Sequence, residues 1–168
     1  KNKIHKKILS YLKDKKILGI FKEFENSLNA KDNFAVAVSG GPDSLALTAL
    51  SKDYEKENNT KIYYVLIDHC LRKNSTSEAI LVKKLLKKKK INLTILSNKT
   101  KIDKNIQSNA RDARYKLLLN YCNRKKIKYI LTGHHRDDQI ETFLIRLSRG
   151  SGIQGLSSMN KLTKLKNN

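Results

Sequence analysis

The chain has 168 residues, 39% hydrophobic and 30% charged, with 36 Lys and Arg against 15 Asp and Glu, a formal net charge of +21. That length fits one domain with a real core, and no apolar run reaches bilayer-spanning length, so a soluble, cytoplasmic protein without a membrane partner is expected. The charge excess favours a polyanionic partner such as nucleic acid, but it is mostly Lys, and runs such as KKLLKKKK also read as solvated helix faces.

In chain order, KNKIHKKILSYLKDKKILGIFKEF is basic and amphipathic, with Ile4, Ile8, Leu12, Leu18 and Phe21 in helical rhythm. It lacks the apolar core and small-residue cleavage site of a secretory signal, and its Lys bias differs from an Arg- and Ser-rich presequence. Residues 1–30 are therefore expected to form a helical segment packed on the main domain, 31–160. Short apolar runs rich in β-branched and aromatic residues predict strands at 34–38, 62–67, 93–96 and 128–132. Helical patterns fall at about 44–57, 75–90 and 106–125, and a last one near 137–149. Residues 161–168 read as a frayed terminus.

Strand-helix alternation of this kind predicts an α/β fold, a Rossmann-like parallel sheet with helices on both faces. Right-handed crossovers then bring every strand-to-helix loop to one edge of the sheet, where ligands of such folds bind. The chemistry-bearing stretches all follow strands: SGGPDS after the first, DHCLR after the second, GHHRDD after the fourth. The two cysteines, Cys70 and Cys122, are far apart and outside any CxxC, which argues against a disulfide framework.

In SGGPDS, Gly40 and Gly41 permit a close backbone approach, and successive amides ahead of a helix make an anion cradle. Ser39 and Ser44 add hydroxyls, and Asp43 caps the helix or holds a metal ion. The stretch is neither a Walker loop nor GxGxxG, and an ordinary tight turn with a capped helix remains open at this point. In GHHRDDQIET, Asp137, Asp138 and Glu141 share a flank of the last helix, just after His134 and His135. They suit the helix dipole, and they also suit a magnesium ion or a basic substrate. In QSNARDARY, Gln107, Arg111 and Arg114 form a stripe whose guanidinium forks fit phosphate or base edges, or else pair with Asp103 or Asp112.

These pieces, in this order, resemble the PP-loop ATP pyrophosphatases, and within them the tRNA(Ile)-lysidine synthases. SGGPDS is similar to that family's nucleotide loop, DHCLR to its DHxLR, QSNARDARY to its QxxARxxRY, and GHHRDDQIET to its GHHxDDxxET. RGSGIQGLSSM is similar to the segment that follows, so the likeness spans residues 34 to 159. It implies ATP and Mg²⁺ as cofactors, and free L-lysine and tRNA(Ile) with a CAU anticodon as partners. The implied reaction adenylates the wobble cytidine and then joins lysine to its C2 carbon, releasing AMP and pyrophosphate.

By the same resemblance, Asp43, Arg114, Asp138 and Glu141 are the expected catalytic residues, with Asp43 also the magnesium ligand. Ser39, Gly40, Gly41, Pro42, Asp43, Ser44, Asp68 and His69 would bind the nucleotide. Arg111, Arg114, His134, His135 and Asp137 would bind the other substrates. Cys70 stands where the family often has Gly; a positive φ there would make it costly, a reactive thiol is the sharper reading, and a small apolar filler the plainer one. Family members continue into tRNA-gripping segments, so residues 161–168 are expected to precede such a region. Two other readings are a tRNA cytidine 2-thiolase, which needs cysteines that the interval between the third and fourth strands does not supply, and an inactive basic tRNA-binding fragment.

Overall fold

The computed structural model describes residues 14–28, 32–68, 70, 74–97, 106–134, 137, 138, 140, 141 and 148, with the backbone alone described over 106–114. Four parallel strands, β1 (Phe34–Ala37), β2 (Ile62–Asp68), β3 (Leu93–Ser97) and β4 (Tyr129–Thr132), form one sheet in the order β3-β2-β1-β4. Helix α1 (Lys15–Asn26) precedes them, and α2 (Pro42–Asn58), α3 (Ser75–Lys88) and α4 (Ile106–Arg124) connect them.

Side chains alternate between the faces of a strand, and the two cores follow that period. Phe34, Val36, Val38, Ile62, Tyr64 and Leu66 point to one face, where they pack with Tyr54 of α2, Ala79 and Leu86 of α3, and Phe21 of α1. Ala35 and Val65 point to the other, against Leu118, Tyr121 and Cys122 of α4. The small Ala35 lets α4 lie close to the sheet. Burial pushes the Cys122 thiol up to about 11, so it behaves as an apolar filler.

Helix α1 starts at Asp14, whose carboxylate accepts from the Lys16 amide at 2.7 Å. It docks through Phe21, 2% exposed, a burial worth about 2–3 kcal/mol. The Phe24 ring meets Tyr54 edge-on at 6.0 Å, and the Asn58 side-chain amide donates to Glu25 at 3.1 Å.

The ends of two helices differ slightly from expectation, for a local reason. α3 stops at Lys88 because Lys90 takes φ +59° and the Ile91 amide turns back to the Leu86 carbonyl at 3.0 Å. α4 stops at Arg124 in the same way, with Lys126 at φ +54° and Ile127 bonded to the Cys122 carbonyl at 2.9 Å. Such left-handed closures end a helix whatever the sequence pattern beyond.

The topology decides where a ligand belongs. From β1 the chain steps outward through β2 to β3, with α2 and α3 over the first core. It then returns under the sheet through α4 to β4, on the far side of β1. The crossover leaving β1 and the crossover entering β4 thus lie on opposite faces, which puts the switch point between these two strands, and the region outside their carboxyl ends is the general binding position of such sheets.

Candidate active site

The loop leaving β1 is organised by one hydroxyl. Ser44, 4% exposed, lies on the first turn of α2, and its Oγ donates to the Gly41 carbonyl at 2.9 Å. The same oxygen lies in line to accept from the Ser39 amide (3.2 Å), the Ser39 hydroxyl (3.0 Å) and the Gly40 amide (3.2 Å). A hydroxyl oxygen has two lone pairs, so three donors converge on two places and one is always poorly served. An anion seated in the turn would take one of these amides and relieve the competition. The Thr48 hydroxyl fixes the base of the turn by donating to the Ser44 carbonyl at 2.7 Å.

Gly40 sits at φ +90°, and a Cβ there would meet Val82 Cγ2 of α3 at 2.9 Å. Both the angle and the space therefore call for glycine at this point. Helix α2 begins at Pro42 with Gly41 as its N-cap, two residues before the expected start. Proline fits a first helical position because the amide it lacks has no partner within the helix. Asp43 is accordingly not the cap: it sits exposed in the first turn, beside the positive end of the helix dipole.

Asp68 ends β2 and is 2% exposed. Its two carboxylate oxygens are engaged within its own loop, by the Cys70 amide at 2.9 Å and the Thr76 hydroxyl at 2.7 Å. Burial pushes this carboxyl up, but the bonds from Thr76 and Cys70 outweigh it and hold it below the usual carboxylate range. Asp68 thus stays ionised at neutral pH and braces the turn that follows β2. Cys70 is exposed at φ +53°, which replaces the reading as an apolar filler with a strained turn position. Cys70→Gly should raise stability by about 0.5–1 kcal/mol, read as a higher urea midpoint at unchanged slope. A lower midpoint would show that the thiol contributes more than its backbone angle costs.

The segment after β4 reaches the same place from the other side. A Cβ on Gly133 would lie 2.8 Å from Ser44 N, 2.9 Å from Ser44 Cα and 3.0 Å from Asp43 C. The next residue, His134, is exposed and held by a 2.8 Å hydrogen bond between its Nδ1 and Thr132 Oγ1. Asp137 and Asp138 follow in helical conformation, as does Glu141, one turn along.

Ser39, Gly40, Gly41 and Ser44 are therefore in mutual contact, with Gly133 pressed against Asp43 and Ser44. Arg111 and Arg114 lie on the first half of α4, which starts from the ligand-binding edge, since β3 ends there and β4 begins at the other. Their side chains lie outside the described residues, as do His69, His135 and the stretches 149–159 and 161–168. Val82 beneath Gly40 and Gly133 against Ser44 carry no mark in the sequence, because both contacts join residues far apart in the chain. Thr76 had a weak signal, a hydroxyl in the first turn of a helix.

A tight turn of clustered amides and hydroxyls ahead of a helix, at the carboxyl edge of a parallel sheet, is the arrangement of a nucleotide-handling α/β domain. The family model of the PP-loop domain matches residues 9–168. The chain belongs to this family of ATP-binding domains. It is 44% identical over 144 residues to the tRNA(Ile)-lysidine synthase of Wolbachia pipientis wMel, covering 82% of this chain and 33% of that protein. It is 48% identical over 127 residues to that of Orientia tsutsugamushi (strain Boryong), covering 75% of this chain and 29% of the relative. The chain thus spans about a third of the length of these curated relatives. Among solved structures, the U34-tRNA thiolase NcsA of Methanococcus maripaludis superposes with a TM-score of 0.70 at 20% identity, over 82% of this chain and 51% of that one. That likeness shows the shared fold.

Proposed function

We propose that this chain is the ATP-binding part of an enzyme that joins lysine to the wobble cytidine of a CAU-anticodon tRNA(Ile). The observation that carries the reading is the Ser44 hydroxyl at the switch point, which gathers the amides of Ser39 and Gly40 within one short turn, while the Gly41 amide donates to the Ser39 hydroxyl at 3.3 Å. The kinship with tRNA(Ile)-lysidine synthases supplies the choice of substrate.

In the first step the cytidine C2 oxygen attacks the α-phosphorus of ATP, and the bond to the leaving pyrophosphate breaks. Charge builds on that pyrophosphate, and the amides of Gly40 and Gly41 and the hydroxyls of Ser39 and Ser44 would hold it. Charge-assisted hydrogen bonds of this kind contribute about 1.5–3 kcal/mol each. Among the described residues no three carboxylate, histidine or cysteine groups form a metal cage. Mg²⁺ fits none the less, because it is commonly held by one carboxylate plus phosphate oxygens and water. Asp43 would be that carboxylate, and the ion would neutralise phosphate charge.

In the second step the lysine side-chain amine attacks C2, loses a proton, and the bond to the AMP oxygen breaks. A lysine ammonium of ordinary pKa, about 10.4, is protonated at neutral pH, so a base must take its proton. Asp138 and Glu141, with Asp137 beside them, would orient the ammonium and accept that proton. Arg114, supported by Arg111, would hold the cytidine or its phosphate, with His134 and His135 near the entering substrates. Asp68 and His69 would wall the nucleotide pocket. No helix among the described residues is long and apolar enough to cross a membrane, and we place the reaction in the cytoplasm with its tRNA.

The test is to incubate the protein with ATP, magnesium, lysine and this tRNA, then digest the tRNA and weigh its nucleosides. The expected result is stoichiometric pyrophosphate release and the added mass of lysine on cytidine. Sulfur in place of lysine would point to a thiolase. Binding without pyrophosphate release would leave an inactive RNA-binding module.

A further inference from the structure

We infer that Gly133, the first residue after β4, is a positioning residue that fixes the distance between the phosphate-facing loop and the acids that follow β4. The inference rests on the proposed function for its chemistry, but its geometry stands on the contact itself.

A Cβ on Gly133 would be 2.8–3.0 Å from three atoms, Ser44 N, Ser44 Cα and Asp43 C, and all three are main-chain atoms of the first turn of α2. A flexible side chain could swing away from such an intrusion. The first turn of a helix cannot, because it is tied to the Gly41 carbonyl through Leu45 and to Thr48 through the Ser44 carbonyl. Gly133 is not in the left-handed region, so the position calls for glycine on grounds of space alone.

The contact also sits where it has leverage. β1 and β4 are paired up to Ala37 and Thr132, so Gly133 is one residue past the last rung. It is the point at which the segment carrying the acids rests on the loop that would carry the phosphates. From there His134 is pinned to Thr132, and Asp137 and Asp138 come only four and five residues later. A short tether of this kind transmits a shift at Gly133 to the acids. The loop and the acids would serve successive steps of one reaction, and a misplacement of about 1 Å can cost about 100-fold in rate.

Gly133→Ala should therefore keep the fold, judged by circular dichroism, and weaken ATP binding by no more than about 10-fold by calorimetry. Transfer of lysine to pre-adenylated tRNA in a single turnover should fall by about 100-fold. A role in folding alone would lower the melting temperature without this split between affinity and rate. A folded variant with wild-type affinity and transfer rate overturns the inference.

Backbone resonances of the wild-type chain give a reading that needs neither the variant nor turnover. Titration with ATP and magnesium should shift Gly133, Asp137 and Asp138 together with Gly40 to Ser44. Shifts confined to the loop overturn the inference. If the wild type binds ATP but never transfers lysine, the proposed function falls while the titration still decides the role of Gly133.

Discussion

Gly40→Ala is expected to lower stability by about 2–6 kcal/mol and to remove measurable ATP binding. Two costs add. At φ +90° an L-residue is strained by about 1–3 kcal/mol. The new Cβ would also lie 2.9 Å from Val82 Cγ2, and Val82 is a β-branched residue packed against the first core, with little freedom to rotate. Forcing such a contact costs about 1–3 kcal/mol. The two parts separate in a double-mutant cycle. Val82→Ala alone should destabilise through lost packing, but in the Gly40→Ala background it should restore about 1 kcal/mol by clearing the clash. The strain of the backbone angle remains, so ATP binding should not return. Urea midpoints and calorimetry of the four proteins check this, and full ATP affinity in Gly40→Ala would show that the turn is not a phosphate cradle.

What the sequence made legible follows from where the information lies. Strand positions were readable because Phe34–Ala37 and Ile62–Asp68 are short apolar runs rich in β-branched and aromatic residues, the composition of strands buried on both faces. The switch point was half readable: alternation implied a parallel sheet and its binding edge, but not that β4 would lie beside β1. That placement depends on which face α4 covers, and α4 has Leu118, Tyr121 and Cys122 on the side that meets Ala35 and Val65. Helix ends were misjudged where a lysine takes a left-handed angle, since Lys90 and Lys126 carry no mark of it in a lysine-rich chain.

The residues of the site were legible as types, and their contacts were not. Ser44 reads as a donor to phosphate, and the structure adds that it gathers the hydrogen bonds of its own turn. Asp68 reads as lining a pocket, and the structure adds that its carboxylate braces Cys70 and Thr76. In both cases a short polar side chain next to a turn finds backbone donors nearer than any ligand. The likeness of five motifs to a known family named the chemistry, and only the folded chain showed Gly133 and Val82 as the neighbours that hold the motifs in place.

Asp43→Ala is expected to cut adenylation of the tRNA by about 1,000-fold or more while changing stability by less than about 1 kcal/mol. The small second figure follows from its place: an exposed acid in the first turn of a helix contributes about 0.3–1 kcal/mol through the dipole. The large first figure follows from charge. A carboxylate at the mouth of a phosphate cradle repels the ligand unless a cation stands between them. The sign of its effect on ATP binding should therefore depend on magnesium. With the ion present, Asp43→Ala should bind ATP more weakly than the wild type, having lost one of the ion's ligands. With the ion chelated, it should bind ATP more tightly, having lost a repulsion between carboxylate and phosphate. Calorimetry in magnesium and in excess chelator measures both. Equal affinities for the two proteins in both solutions would remove Asp43 from the metal site, and an adenylation rate near wild type would remove it from the reaction.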